Sequence, residues 1–486
     1  MSEAWDSNKP REECGIFAIY GHQNASEMTY LGLYALQHRG QESSGIATSD
    51  GCNMYYHRDM GLVGEVFKDQ ALFRSLKGNA AIGHNRYSTT GSSTYANAQP
   101  ILSADRDGPV AIAHNGNLIN ARELYDKLIG RGAIFQTTLD SEIIIHLTAM
   151  SKKHTFQERF FEALESMDGA YCVVVLTRHG IMAARDPLGF RPLCLGKVDN
   201  SWVVASETCA LDIINATYIR DVDPGEVLII DEHGVKSFKP MKEKKHAFCV
   251  FEYIYFSRPD SYIFGHCVDT VRREIGRRLA REHPIDADIV ISVPDSSNSA
   301  AIGYAHEAGI PFEMGLIRYH YIGRTFINPS QVTREHSVRI KFNPVKGVIE
   351  GKRVVVVEDS IVRGTTFKKL ARLLRAAGAK EIHLRVSSPP IIAPCFYGMD
   401  FPTREELMAA HQSVEDIRRF IGVDSLGYLS LPGLLASVPD HGATYCDACF
   451  SGKYPTALPA VVTKGCIEDS DANPRFIPAI TLRYKT

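Results

Sequence analysis

The sequence predicts two packed domains, an α+β first half and an α/β second half built on a parallel sheet. A chain of 486 residues is too long for one ordinary hydrophobic core. The run Val354–Val357 is apolar and β-branched, which suits a strand buried on both faces of a parallel sheet. A helical period follows it through Phe367, Leu370, Leu373, Leu374 and Ala377, and Gly378 ends it. The first half instead alternates short apolar runs with polar, glycine-bearing clusters, the pattern of strands whose ends carry loops.

Composition narrows the class. Apolar residues make up 44% and charged residues 23%, a globular balance. A net charge of −2 offers no footprint for nucleic acid or an acidic membrane. No apolar run reaches the ~18 residues that span a bilayer. The leading MSEAWDSNKPREE lacks the hydrophobic stretch of a secretory signal. Eleven cysteines in such a chain point to a reducing compartment, hence the cytoplasm, and to catalytic or metal-bound thiols rather than disulfides.

In chain order, the first chemistry-bearing residue is Cys14, which opens the strand-like CGIFAIYG. A lone Cys before a strand is usually a core residue. Four polar clusters change that context: QHRGQESSG (Gln37–Gly45), HNRYSTTG (His84–Gly91), HNGNL (His114–Leu118) and TLDSE (Thr138–Glu142). Taken singly, Arg86 and Asp140 read equally well as a structural ion pair, and Asn115-Gly116 as a turn. As an ordered set the clusters resemble the class II glutamine amidotransferases, which are N-terminal-nucleophile hydrolases, over roughly Cys14 to Asp223. That resemblance implies an αββα sandwich and removal of residues 1–13 as a propeptide. Cys14 then leads the mature chain, and its α-amino group, with a pKa of about 7.7–8.0, accepts the thiol proton. By the same resemblance the thiolate attacks the glutamine side-chain amide while Asn115 and the backbone N–H of Gly116 hold the oxyanion. Arg86 pairs with the α-carboxylate of glutamine and Asp140 with its α-ammonium. His84 and His114 are expected to stabilise loops. The charged stretch Met241–His246 marks the expected boundary between a glutaminase domain at 14–243 and a second domain at 244–450, followed by a tail at 451–486.

Arg272 to Arg281 reads as a solvated amphipathic helix with Ile275 and Leu279 on one face. Ile289–Val293 reads as a strand leading into PDSSNSAAIGYA, where Asp295 and Ser296 begin either a helix-capping turn or an anion loop. Beyond Val357 stand Glu358, Asp359 and Ser360, then Val362, Arg363, Gly364, Thr365 and Thr366 at a helix start. Backbone N–H groups at a helix N-terminus face an anion, Gly364 permits close approach, and the carboxylates suit sugar hydroxyls or Mg²⁺. This pattern resembles the phosphoribosyl pyrophosphate (PRPP) motif of type I phosphoribosyltransferases. The resemblance implies a 5′-phosphate on the N–H groups of Val362–Thr366, and one Mg²⁺ per subunit shared by Ser296, Glu358 and Asp359. Tyr321–Asn343 carries Arg324, Arg334, Arg339 and Lys341 with few apolar positions, and reads as a lid. Its GRTFINPSQ resembles the flexible loop of the glutamine PRPP amidotransferases.

Cys249, Cys395, Cys446 and Cys449, the last two as CDAC, form a Cys₄ set whose spacing suits Zn²⁺ or an iron–sulfur cluster. Cys52, Cys172, Cys194, Cys209, Cys267 and Cys466 read as core cysteines. The four positions match the ligands of the propeptide-bearing, cluster-containing subclass of the same amidotransferase family, and the resemblance covers the chain to about Phe450. It implies one [4Fe–4S] cluster per subunit. It also implies ammonia released from glutamine and channelled to PRPP to give 5-phosphoribosylamine, the first step of de novo purine synthesis. Purine nucleotides as feedback inhibitors and a homotetramer are further implications, with no nucleic-acid or membrane partner. Two departures stand out. Glu358 occupies a position where many relatives carry Asp, and Arg318 and His320 replace a Lys and an Arg in a region tied to nucleotide inhibition. The rival from a different class is a nucleotide-sensing regulator on a phosphoribosyltransferase scaffold without transferase activity, which needs neither Cys14 nor the glutamine-site residues. Ser451–Thr486 is expected to wrap the surface or be partly disordered.

Overall fold

The computed structural model describes residues 14–88, 91–319, 342–399, 403–458 and 467. Its first half is two antiparallel sheets stacked between helices. One sheet runs in the order Thr217–Asp221, Cys194–Val198, Ser201–Ala205, Gly15–Tyr20, Ala80–Arg86, Ser43–Ser49, Met54–Met60. The other runs Gly234–Phe238, Val227–Asp231, Gly180–Arg185, Gly169–Thr177, Gly108–Leu118, Ile101–Asp105. The period-2 alternation of a strand explains why both faces of Gly15–Tyr20 are apolar. Ile16 and Ala18 join Ile82, Ala111, Ala113 and Val174 in the core between the sheets. Phe17 and Ile19 face outward into a second core with Leu33 and Leu36, at the helix Ala25–Ala35. Helices Ala121–Ile129, Asp140–Met150 and Phe156–Glu165 cover the other sheet through Leu124, Ile143, Ile144 and Phe160. The architecture is therefore the expected αββα sandwich.

The second half is a four-stranded parallel sheet in the order Ile289–Ser292, Arg353–Glu358, Glu381–Val386, Ser425–Tyr428. Val354 and Val356 face a core with Leu370 and Leu374 of the helix Thr365–Ala376. Val355 and Val357 face the opposite core, with Ile275 and Leu279 of the helix Val268–Glu282 and Ala301 of Asn298–Ala308. Burial on both faces is what the continuous β-branched run predicts.

Several expectations need correction. The helix Val268–Glu282 is not wholly solvated along its arginine side. Arg272 is 2% exposed and donates to the carbonyls of Tyr253 and Ser257 at 2.5 and 2.8 Å. Its burial follows from those carbonyls, which a helix-face reading of the sequence cannot supply. Cys52 is exposed, on a turn where its own N–H donates to Asp50 Oδ1 at 2.9 Å, and Cys267 is only partly buried; Cys172, Cys194 and Cys209 are core residues as expected. Cys466 and the expected lid up to Lys341 lie outside the described residues, as does most of the tail. The lid's last residues, Phe342 and Asn343, belong to a strand, Phe342–Pro344, paired antiparallel with Leu316–Arg318. In the tail, Tyr454 donates to the Pro394 carbonyl at 2.7 Å, and Ile467 is buried in the core of the helix-covered sheet rather than laid on the surface. Among the described residues no helix is long and apolar enough to cross a membrane.

Candidate functional site

The strand Gly15–Tyr20 lies centrally in its sheet, between Ser201–Ala205 and Ala80–Arg86, so Cys14 projects from the middle of a sheet edge. The thiol donates to the Tyr87 carbonyl at 3.3 Å, and the Tyr87 N–H approaches Sγ at 3.5 Å. Burial pushes the Cys14 thiol up to about 11, against the lowering by that hydrogen bond and by Arg86. At neutral pH Cys14 is therefore a thiol, and acting as a nucleophile would require a base.

The expected partners gather at the same end of the two sheets. Gly15 pairs with Asn85, which sets Arg86 beside Cys14. Arg86 is 1% exposed and donates to the carbonyls of Ser92 and Gly91 at 3.1 Å each, with Glu42 at 3.8 Å. From the second sheet, His114 connects both layers: its carbonyl receives a contact from His84 Nε2 at 3.0 Å, and its Nδ1 lies 3.4 Å from Asp140. Burial holds His84 neutral, lowered to about 3; both it and His114 lie within strands, so the contact joins the two sheets rather than steadying a loop as expected. Asp140 opens the helix Asp140–Met150 and accepts the Leu118 N–H at 3.0 Å. Burial raises its carboxyl, but His114 and the backbone N–H groups of Leu118 and Ser141 more than offset that, so it lies below the usual carboxylate range. Asn115 is 1% exposed, and its Nδ2 makes no hydrogen bond among the described residues. Gly116 has φ +146, and an added Cβ would stand 2.0 Å from the Ala170 carbonyl oxygen, so only glycine fits. A buried, unspent amide donor next to a glycine is what an oxyanion requires.

In the parallel sheet, Glu358 ends its strand and Asp359 follows, 3% and 0% exposed. Ser296 Oγ, arriving from the neighbouring strand's loop, donates to Asp359 Oδ2 at 2.6 Å, and Ser360 Oγ donates to Oδ1 at 2.7 Å. Ser297 Oγ reaches Glu358 at 3.4 Å. Gly364 stands at the N-terminus of the helix Thr365–Ala376 at φ +69, a left-handed conformation that glycine adopts without strain. Ser296, Glu358, Asp359 and the loop 360–364 thus lie at adjacent strand ends, where ligands bind in open α/β sheets. Arg318, one of the two departures in the sequence, pairs with Asp295 at 3.0 Å beside the Ser296 loop; His320 is outside the described residues.

The segments that carry the four expected thiols come together at the junction of the halves. Strand Phe248–Cys249 pairs in parallel with Tyr445–Cys446, putting Cys249 opposite Cys446. The Cys449 carbonyl accepts the Ile392 and Ala393 N–H groups at 2.9 and 3.1 Å, which brings in the Cys395 segment. All four are free cysteines. Burial pushes Cys249 up to about 11, and raises Cys446 and Cys449 well above the usual thiol value, with each other's charge adding to it. Among the described residues no group of three or more His, Cys, Asp or Glu is arranged to hold a metal ion, these four cysteines included.

A buried ion network across the same junction escapes sequence reading. Arg39, in the QHRG cluster, bonds Glu207 Oε1 and Glu252 Oε2 at 2.5 Å each, with all three side chains fully buried. His38 and Ser261 also bond Glu207, both at 2.7 Å. Arg191, from the Arg185–Pro192 loop, lies 3.6 Å from Glu252 and donates to the Tyr397 carbonyl. The available signal is Glu252, the lone acid in the apolar run Ala247–Phe256. Asn117 Nδ2 donates across the junction to the Phe396 carbonyl at 2.9 Å.

Two family models match the chain: a glutamine amidotransferase domain over residues 84–212 and a phosphoribosyl transferase domain over 272–388. The amidophosphoribosyltransferase of Bacillus subtilis (strain 168) is 50% identical over 452 residues, covering 92% of this chain and 95% of that protein. That of Mycobacterium tuberculosis is 48% identical over 483 residues, covering 96% and 91%. Among solved structures, the allosteric regulatory enzyme of purine biosynthesis superposes with a TM-score of 0.90 at 48% identity, covering 94% of this chain and 99% of that one. The B. subtilis glutamine PRPP amidotransferase complexed with ADP and GMP gives 0.89 at 48% identity, covering 93% and 100%.

Proposed function

This chain belongs to the amidophosphoribosyltransferase family, and from that premise we propose how its residues divide the reaction. The activity is glutamine-dependent amidotransfer to PRPP in purine biosynthesis. Cleavage after Glu13 converts Cys14 into an N-terminal residue, and the freed amine accepts the proton that burial otherwise holds on sulfur. The thiolate attacks the glutamine amide carbon. Asn115 Nδ2 and the Gly116 N–H take up the developing oxyanion. The C–N bond then breaks, ammonia departs with the transferred proton, and water hydrolyses the thioester to glutamate. Arg86 exchanges its bonds to the Ser92 and Gly91 carbonyls for the substrate carboxylate, and Asp140 receives the ammonium. The observation that carries this half is the buried Asn115 amide with its unspent donor.

At the second site the N–H groups of Val362, Arg363, Gly364, Thr365 and Thr366 cradle the 5′-phosphate. Glu358 and Asp359 hold the ribose hydroxyls once the serine hydroxyls release them. Ser296, Glu358 and Asp359 form an all-oxygen donor set that fits Mg²⁺, which would neutralise the departing pyrophosphate. Ammonia attacks C1 as the bond to pyrophosphate breaks, giving 5-phosphoribosylamine. Ammonia passes between the sites through an internal channel completed by closure over the transferase site, because in bulk water it would protonate.

Cys249, Cys395, Cys446 and Cys449 stand at the ligand positions of the cluster-containing subclass, and a [4Fe–4S] cluster held by them would tie three chain segments together. The ligand positions of the subclass select iron–sulfur over zinc. Residues 14–243 and 244–450 act as the two domains, in a cytoplasmic homotetramer inhibited by purine nucleotides near Arg318.

The deciding experiment is pyrophosphate release from PRPP and Mg²⁺ on protein handled without oxygen, with glutamine or an ammonium salt as nitrogen donor. Release with both supports two coupled sites. Release with ammonium alone, on protein whose intact mass proves removal of residues 1–13, overturns the glutaminase assignment. No release with either, on protein containing iron and sulfide, overturns the transferase assignment and favours the regulator.

A further inference from the structure

Asn97 joins two segments around the residues assigned to the α-groups of glutamine. It ends the short turn Tyr95–Asn97, in the loop leading from the strand Ala80–Arg86 to the strand Ile101–Asp105, and is 1% exposed. Its Nδ2 donates to the Ser92 carbonyl at 2.9 Å and to Thr138 Oγ1 at 2.8 Å, and its Oδ1 accepts the Thr138 N–H at 3.1 Å. Both amide hydrogens and the amide oxygen are thus spent. The Ser92 carbonyl also accepts Arg86 Nη1 at 3.1 Å. Thr138 stands two residues before Asp140, which begins the helix Asp140–Met150. The Gly91 backbone is packed against the same pair: a Cβ there would lie 2.7 Å from Thr138 Oγ1 and 3.0 Å from Asn97 Nδ2. One amide therefore ties the segment that Arg86 holds to the segment that carries Asp140. The tie crosses layers, since Arg86 ends a strand of one sheet and Asp140 begins a helix over the other.

We propose that Asn97 is a positioning residue for glutamine recognition: its amide fixes the separation of Arg86 and Asp140, and so selects a substrate that carries both an α-carboxylate and an α-ammonium. The proposal rests on the roles given to Arg86 and Asp140 above. When Arg86 leaves the Ser92 carbonyl for the substrate carboxylate, that carbonyl keeps its bond from Asn97 and is not stranded, so the segment stays in place as the guanidinium turns. Two ionic contacts to one small molecule act together only where their spacing matches it. A displaced Asp140 therefore loses the ammonium, while Arg86 alone still takes a carboxylate. Leu at this position would fill the volume and make none of the three bonds.

The test uses the full chain whose intact mass shows removal of residues 1–13. KM and kcat for glutamine hydrolysis are measured, together with the inhibition constant of glutaramate, which is glutamine without its α-amino group. Asn97→Leu is expected to raise KM for glutamine roughly tenfold, the scale of one or two lost hydrogen bonds, with kcat changed less. The inhibition constant of glutaramate is expected to stay near the parent value, because that ligand engages Arg86 without Asp140. Arg86→Gln is expected to weaken both ligands, and Asp140→Asn to weaken glutamine alone. Either of these two variants binding glutamine as the parent does overturns the recognition reading itself. Where both weaken glutamine, an Asn97→Leu protein that matches the parent, or that weakens glutamine and glutaramate equally, overturns the role of Asn97. If Asn97→Leu does not fold, Thr138→Val decides, since it removes the Oγ1 acceptor and keeps the β-branch: an unchanged KM, or an equal loss for both ligands, refutes the proposal.

Discussion

Replacing Asn115 by Ala isolates one step of one half-reaction. The amide is 1% exposed and its Nδ2 makes no hydrogen bond among the described residues. A buried donor left unpaired costs about 1–3 kcal/mol in the resting protein. That cost is recovered only when an oxygen acquires charge beside it, so the bond belongs to the transition state rather than to bound glutamine. Removing a comparable oxyanion donor costs ~2.7–4 kcal/mol, or about 100- to 1,000-fold in kcat. Asn115→Ala should therefore lower glutamine-dependent kcat by that factor with little change in KM. Ammonium-dependent pyrophosphate release should remain near the parent rate. Stability should fall by no more than ~1 kcal/mol, since relief of the unpaired donor offsets the lost packing. Steady-state assays with the two nitrogen donors, beside a denaturant titration, measure all three. A glutamine-dependent kcat within threefold of the parent, or a parallel loss with ammonium, would refute the assignment.

Other expectations follow from the same geometry. Arg39→Leu strands two buried carboxylates and should destabilise the chain by ~3–5 kcal/mol in denaturant, while Glu207 keeps the bonds from His38 and Ser261; a loss below ~1 kcal/mol would show the network to be incidental. Burial raises the Glu207 carboxyl, but His38 and Arg39 outweigh it and hold the group well below its usual range. Its stabilisation is thus present above the unfolded value near 4.3 and disappears as pH falls through the depressed folded value; urea midpoints from neutral to acid pH test the direction, and Arg39→Leu should lose stability at higher pH than the parent. With residues 1–13 attached, a Cys14 thiol near 11 is about one part in a thousand thiolate at pH 8, so iodoacetamide should label it slowly and the trimmed chain much faster, read by peptide mass. Asp359→Asn should cut ammonium-dependent transfer by ~100-fold, and an active variant would remove Asp359 from the substrate site.

Much of this was legible because local pattern and chemistry coincide. Val354–Val357 is buried on both faces, and the acids, hydroxyls and glycine after it need only a strand end and a helix start to become a cradle. Arg86, Asn115 and Asp140 drew notice through the polar clusters that hold them, and the structure puts the first two in strands and the third at a helix start. Arg272 could not be read this way: helix periodicity places it near the solvated side, and only the Tyr253 and Ser257 carbonyls explain its burial. Arg39, Arg191 and Glu207 also stayed hidden, since a buried charge is recognisable only with its partners, and theirs lie far away along the chain. Cys52 went the other way, because a small thiol in a turn carries no sequence mark of exposure.

The bond from Asn117 to the Phe396 carbonyl bears on how such an enzyme can be taken apart. The strand that carries Asn115 and Gly116 in the first half is braced by backbone from the second, and the Gly398 and Gly116 backbones lie close enough that a Cβ on Gly398 would sit 3.3 Å from Gly116. The glutaminase half is thus not a detachable module. A gene fragment ending near residue 243 would keep Cys14, Arg86, Asn115, Gly116 and Asp140, the residues proposed to handle glutamine, and still lose the 395–398 backbone that braces their strand. Exchange of one half between relatives would carry the same requirement: the graft must bring the 395–398 segment that fits it.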